Sequence, residues 1–174
     1  MREQVAVKVE ICREGVVLPQ YARMGDAGCD VCAAEDVLVG SGRTVVIPTG
    51  LKTAVPDGYE IQVRPRSGLS LNTPLRVANT PGTIDSLYRD EIGVIIHNSS
   101  PNPEASDVYG GSKRFPPVHL INEKGNLIGD YLIKKGDKIA QLVLNEVPQI
   151  VFEPVDDIAT IEGNRGGGFG HTGV

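Results

Sequence analysis

With 174 residues, 40% of them hydrophobic, the chain is long enough for one domain with a real core. Its net charge of −5 argues against broad nucleic-acid binding, and no apolar run approaches the roughly 20 residues of a membrane span. Three cysteines cannot form a disulfide framework and the N-terminal MREQVAVKVEI has no signal-peptide core, so a reducing, cytoplasmic setting is expected.

Twenty-one glycines and twelve prolines punctuate short runs rich in Val and Ile, the pattern of an all-β domain. Val5, Val7, Val9 and Ile11 alternate with polar or small residues, which predicts a half-buried strand. Next comes AGCDVCAAED, residues 27–36. A zinc site on Cys29 and Cys32 would need a second pair of ligands, and a redox pair would want a βαβ setting. In a strand, positions i and i+3 also face opposite ways, so buried structural thiols are expected.

Residues 44–55 and 59–66 read as strands joined by the turn Pro56-Asp57-Gly58. SGLSLN, from Ser67, fits one or two helical turns capped by Ser67 and stopped by Pro74. Arg64 and Arg66 lie just ahead of that start. Free N–H groups, a positive dipole end and two guanidinium groups suit a phosphate; a solvated Arg pair at an ordinary cap is the plainer alternative.

The stretch GTIDSLYRDEIGVIIHN, residues 82–98, alternates after Tyr88 and reverses at Asp85, Ser86 and Leu87. It predicts a β-hairpin with a carboxylate and an aromatic ring three residues apart near the bend. Residues 99–117 read as an irregular exposed loop, and 118–133 as a second hairpin turning at Glu123-Lys124-Gly125-Asn126. GDKIAQLVLNEV, 136–147, is a turn leading into a strand. Beyond Pro154 the sequence becomes polar and then glycine-rich.

The tail EGNRGGGFGHTGV holds two false leads. Gly168, Gly170 and Gly173 satisfy G-x-G-x-x-G with no helix in the sequence to follow, and Phe169 stands where the Walker spacing from Gly163 requires Lys. A frayed terminus is the plain reading. A lid fits better: glycines let the backbone wrap a ligand, Phe169 stacks on a base, and Arg165 with Thr172 binds phosphate.

Taken in order, DAGCD, RPRSGLS, the 82–98 stretch, GDKIAQL and RGGGFGHTG resemble the five motifs of the trimeric dUTPase family. That resemblance implies an all-β, distorted β-barrel of jelly-roll (β-clip) type over residues 1–162. It also implies a homotrimer in which a glycine-rich lid, 163–174, closes over a neighbour's site. Carried over by position, Asp85 is the general base for the attacking water and Tyr88 lies against the deoxyribose, excluding a 2′-hydroxyl. Asn79 and the backbone through Gly82, Thr83 and Ile84 read uracil. Arg66, Ser67, Gly68 and Gln141 bind phosphate, while Arg165, Gly168, Phe169, Gly170 and Thr172 form the lid contacts. Asp30 holds Mg²⁺ through its water shell.

The implied reaction is in-line attack of water on the α-phosphate of dUTP, giving dUMP and pyrophosphate. It limits uracil incorporation into DNA and supplies dUMP for dTMP synthesis. An Asp with a pKa near ~3.9 is ionised but weakly basic, so positioning and charge neutralisation must carry most of the catalysis. The chain departs from the family pattern at Cys29, where Tyr is frequent, at Asp90, where Gly is usual, and at His171. It also carries a long insertion at about 99–130. The insertion is expected to be a surface arm that modulates lid access or binds a protein partner, or else an inert hairpin. Two other functions are kept in view: a dCTP deaminase of the same fold, and a dUTP-gated regulator that docks a protein through the arm.

Overall fold

Short Val- and Ile-rich runs build twelve strands and one short helix in the computed structural model, which describes residues 3–102 and 116–163. In chain order these are β1 (Lys8–Ile11), β2 (Cys29–Cys32), β3 (Val37–Val39), β4 (Thr44–Pro48), β5 (Leu51–Ala54) and β6 (Tyr59–Arg64). After the helix α1 (Ser67–Asn72) come β7 (Leu75–Val77), β8 (Gly82–Ile84), β9 (Gly93–Asn98), β10 (Val118–Leu120), β11 (Asp130–Ile133) and β12 (Lys138–Glu146). A 3-10 turn, Ile158–Thr160, lies beyond them.

Four sheets result, ordered β1-β5, β2-β12-β6-β8, β4-β9-β7 and β10-β11-β3. Together they form an all-β, distorted barrel of jelly-roll type. Strand alternation places the core: Ile61 and Val63 of β6 and Val94 and Ile96 of β9 point inward, joined by Val39, Ile47, Leu75 and Ile133. Each such side chain contributes about 1.5–3 kcal/mol on burial.

Pairing departs from the sequence expectations where the chain changes sheets. Residues 44–55 are not one strand. The chain turns at Thr49-Gly50, with Gly50 at φ +71°, so that β4 joins β9 and β5 joins β1. A side chain at Gly50 would also collide with Val16. The bend at Asp85 is real, closed by Tyr88 N–H to Asp85 O at 3.1 Å. Yet β8 pairs with β6 and β9 with β4 and β7, so the bend is a corner between two sheets, not a hairpin. Likewise 118–133 is no hairpin, since β10 lies parallel to β11, with Val118 opposite Asp130. A parallel pair needs a crossover, here the loop 121–129.

The described part of the insertion is thus built into the barrel. Asn98, fully buried, donates from Nδ2 to Val39 O (3.0 Å) and Gly129 O (2.8 Å), tying both ends of the insertion to β3. At the N-terminus β1 forms as expected but lies exposed rather than half-buried, with Val9 42% and Ile11 48% exposed. After β12, Ile150, Val151 and Phe152 are all more than 70% exposed.

Candidate active site

Two groups of residues separate clearly. The first surrounds Asp30 on β2, which faces Gln141 across the β2–β12 ladder. Its Oδ1 accepts from Arg66 Nε at 2.8 Å and from Gln141 Nε2 at 3.4 Å. Its Oδ2 accepts from Arg66 Nη2 at 3.4 Å and lies 3.0 Å from Lys138 Nζ. One carboxylate is therefore gripped by two cations. Burial pushes the Asp30 carboxyl up, but hydrogen bonds and charges from Arg66 and Lys138 outweigh that and hold it below the ordinary carboxylate range.

Lys138 was not singled out by the sequence reasoning. It stands three residues from Gln141, and in a regular strand those positions face opposite sides. The β2–β12 register shifts between Lys138 and Ala140, and this bulge turns both side chains toward Asp30. The available signal was the charge itself inside GDKIAQL.

Arg66, not Ser67, is the N-cap of α1, and no side chain caps the helix. The first intrahelical bond runs from Ser70 N–H to Arg66 O at 3.0 Å, so the N–H groups of Ser67, Gly68 and Leu69 precede it. A Cβ on Gly68 would meet no described atom. Packing does not require that glycine; it leaves the first turn of α1 bare beside Arg66. Arg64 is elsewhere. Its guanidinium donates to Gln62 Oε1 on its own strand, at 2.7 and 2.9 Å, and does not join the Asp30 cluster.

The second group is the Asp85 corner with the loop before it. Asn79 lies on the loop from β7 to β8, close over Gly82: a Cβ at Gly82 would stand 3.1 Å from Asn79 Nδ2. Asp85 and Tyr88 are exposed, and among the described residues no side chain bonds the Asp85 carboxylate. Tyr88 Oη donates to Glu91 O at 3.0 Å. Arg89 Nη1 donates to Ser86 O (2.7 Å), Tyr88 O (2.8 Å) and Thr53 O (3.4 Å), filling the inside of the turn.

Within one chain, no hydrogen bond or ion pair among the described residues joins the two groups. Asp30 stands on one edge strand of the β2-β12-β6-β8 sheet and Asp85 just past the other, three interstrand spacings or roughly 14 Å apart across the strands. Arg165, Gly168, Phe169, Gly170 and Thr172 lie outside the described residues, as does His171. Cys29 and Cys32 form no disulfide and are half-buried rather than buried; burial raises both thiols above their ordinary range. Among the described residues no cluster of three acidic, His or Cys side chains could cage a metal, and no helix is long and apolar enough to cross a membrane.

Comparison with known proteins agrees with the motif order. Residues 14–103 match the dUTPase family model. The deoxyuridine 5′-triphosphate nucleotidohydrolase of Fusobacterium nucleatum is 42% identical over 173 residues, covering 98% of this chain and 99% of that one. The dUTPase of Staphylococcus bacteriophage 80alpha with dUPNHPP superposes with a TM-score of 0.82 at 27% identity, covering 98% of this chain and all of that one. A mutant dUTPase from phage phi11 of S. aureus, described with a structural Mg(II) ion, gives 0.75 at 27% identity, covering 88% of this chain and 99% of that one. The corner bearing Asp85, the Asp30–Arg66 cluster and these likenesses over nearly the whole length lead to one assignment: the chain belongs to the dUTPase family, the deoxyuridine 5′-triphosphate nucleotidohydrolases.

Proposed function

We propose that the protein hydrolyses dUTP to dUMP and pyrophosphate at sites shared between protomers of a homotrimer. The observation that carries this reading is the separation of the two groups. A phosphate seat at Asp30, Arg66, Gln141 and α1, and a general base at Asp85, do not meet within one chain. A second protomer that brings its Asp85 corner to the first protomer's seat completes the site. Exposed apolar surface supports such an assembly: a groove lined by Val5, Val7, Val9, Leu18 and Tyr21, and the uncovered Ile150, Val151 and Phe152.

At the seat, the triphosphate takes Arg66 and Lys138 from Asp30, with Gln141 and the bare N–H groups of α1 as further donors. Magnesium binds hard oxygen ligands and gives up its waters reluctantly, so a single ionised carboxylate would suit it, holding it through water. Asp30, kept ionised by its cationic neighbours, fits that role. When bound there, Mg²⁺ would neutralise charge on the phosphate oxygens.

Asp85 orients a water and accepts its proton as the oxygen attacks the α-phosphorus. The bond to the α,β-bridging oxygen breaks, and pyrophosphate leaves with that oxygen. Tyr88 lies against the deoxyribose, and Asn79 with the backbone of Gly82, Thr83 and Ile84 meets the uracil edge. Cytosine, with an amino donor where uracil has a carbonyl, leaves those fixed groups mismatched. Residues 163–174 close over the bound nucleotide, with Phe169 on the base and Arg165 and Thr172 on the phosphate. A dUTP-hydrolysing enzyme acts on free nucleotide pools, which fits a cytoplasmic location. The insertion exposes Val118, Leu127 and Ile128, and a protein partner would meet it there.

An assay of dUTP, dCTP, dTTP and UTP, each with and without Mg²⁺, tests the reading. Turnover of dUTP alone to dUMP and pyrophosphate, stimulated by Mg²⁺, is expected. Conversion of dCTP to dUTP would point to deamination instead. Tight dUTP binding without consumption would point to a sensor. Sedimentation of the intact protein tests the trimer, and a monomer that turns over dUTP at full rate would overturn the shared site.

A further inference from the structure

Asp85 has no side-chain bond within the described chain, so its placement depends on the backbone of the corner that carries it. From inside, Arg89 holds that corner through three carbonyls. A second restraint lies just beyond it. Glu91 Oε1 accepts from Arg13 Nε at 2.7 Å and from Gly50 N–H at 2.7 Å, while Oε2 accepts from Arg13 Nη2 at 2.9 Å. The pair is a two-pronged guanidinium–carboxylate fork, which fixes orientation as well as distance. Neighbouring bonds lock the same seam: Ile92 N–H to Leu51 O at 2.8 Å, and Thr49 Oγ1 to Ile92 O at 2.7 Å. Glu91 also supplies the carbonyl that receives Tyr88 Oη at 3.0 Å. One residue thus connects the ring of Tyr88 to the β4–β5 turn and to Arg13, 78 positions earlier in the chain.

The geometry points to Glu91 and Arg13 as positioning residues for the Asp85–Tyr88 corner, acting on turnover without touching the nucleotide. This rests on the assignment of Asp85 and Tyr88 given above. The clamp sets where the peptide of residue 91 stands, hence where Tyr88 is tethered and how the corner is presented to a neighbouring protomer. The outer partner of Arg13, Glu35 at 2.8 Å, is half exposed and bonds no residue of the corner among the described residues, so it is no part of the device.

The test is steady-state kinetics on trimer-sized fractions, well below each variant's melting temperature. Misplacement of a reacting group by about an ångström costs up to roughly a hundredfold. Glu91→Ala is therefore expected to lower kcat by about tenfold or more, with KM changed by less. Glu91→Gln keeps an acceptor for Gly50 N–H and should lose less. Arg13→Met should match Glu91→Gln, and the double variant should be no worse than the poorer single, because both remove one interaction. Glu35→Gln should keep the wild-type kcat. A lower melting temperature in Glu91→Ala with kcat within about twofold of wild type would overturn the proposal, and so would additive losses in the double variant. If Glu91→Ala does not fold, the Glu91→Gln and Arg13→Met pair decides by the same criteria. Asp85→Asn, run alongside, judges the underlying assignment separately: turnover surviving there would remove Asp85 as the base, whatever Glu91 does.

Discussion

The phosphate seat and the Asp85 corner are held in opposite ways. At the seat, Asp30, Arg66, Lys138 and Gln141 come from three separate segments and are fixed by side chain bonding side chain. At the corner, residues 85–91 are contiguous and fixed by backbone, with Arg89 and Glu91 as braces and the working side chains left bare. At the seat two cations are paired with one carboxylate. At the corner the Asp85 carboxylate has no side-chain partner among the described residues. Substitutions at the seat should therefore act through charge and affinity, and those at the corner through turnover.

The largest effect should come from Asp85→Asn. A positioned base contributes about 10²–10⁴ in rate, so kcat should fall by roughly that factor while a non-hydrolysable dUTP analogue still binds, as calorimetry can show. Comparable loss of binding would erase the division between the two regions. Asp30→Asn should be next. It removes the carboxylate proposed to hold Mg²⁺ through water, and losing such an outer partner costs about 10–100-fold, so kcat/KM should drop by roughly that factor, with weakened Mg²⁺ stimulation. Lys138→Met should act mildly, because Lys138 is 54% exposed: a rise in KM of about two- to fivefold with kcat held.

Acid should loosen both regions. The folded-state values of Asp30 and Glu91 lie below their ordinary 3.8 and 4.5. For Asp30 the cations outweigh burial; for Glu91 the Arg13 hydrogen bond leads. The unfolded chain then binds more protons in this range. Stability is complete above these ordinary values and is lost as pH falls through them toward the depressed ones. Melting temperatures followed from pH 6 to pH 3 should decline, with a shallower decline in Asp30→Asn. Smallest of all, Arg64→Met should leave kcat/KM within about twofold, since its guanidinium serves Gln62 and not the seat.

Much of this was legible before any coordinates. Turns at Pro56-Asp57-Gly58 and Asp85–Tyr88, the helix after Arg66 and the strand following GDK are local features, and local chemistry specifies them. The partnering of strands was not legible. The 82–98 and 118–133 stretches both read as hairpins because alternation reports which faces are apolar, not which neighbour a strand will choose. Lys138 escaped notice for a related reason: a bulge, invisible in the pattern, reversed the facing of one residue.

From the order of five short motifs, the sequence alone pointed to the family and the all-β class, and it supplied the residues proposed for each half of the site. Those depend on short-range constraints: a glycine that leaves a helix start bare, an acid at a bend, a cation beside a cap. Only the tertiary structure decided that Arg66 and not Arg64 reaches Asp30, that Lys138 joins them, and that the insertion adds a parallel strand to the barrel. The physical reason is that register, bulges and sheet exchange are settled by packing between distant segments, and those energies are not written in any one stretch of chain.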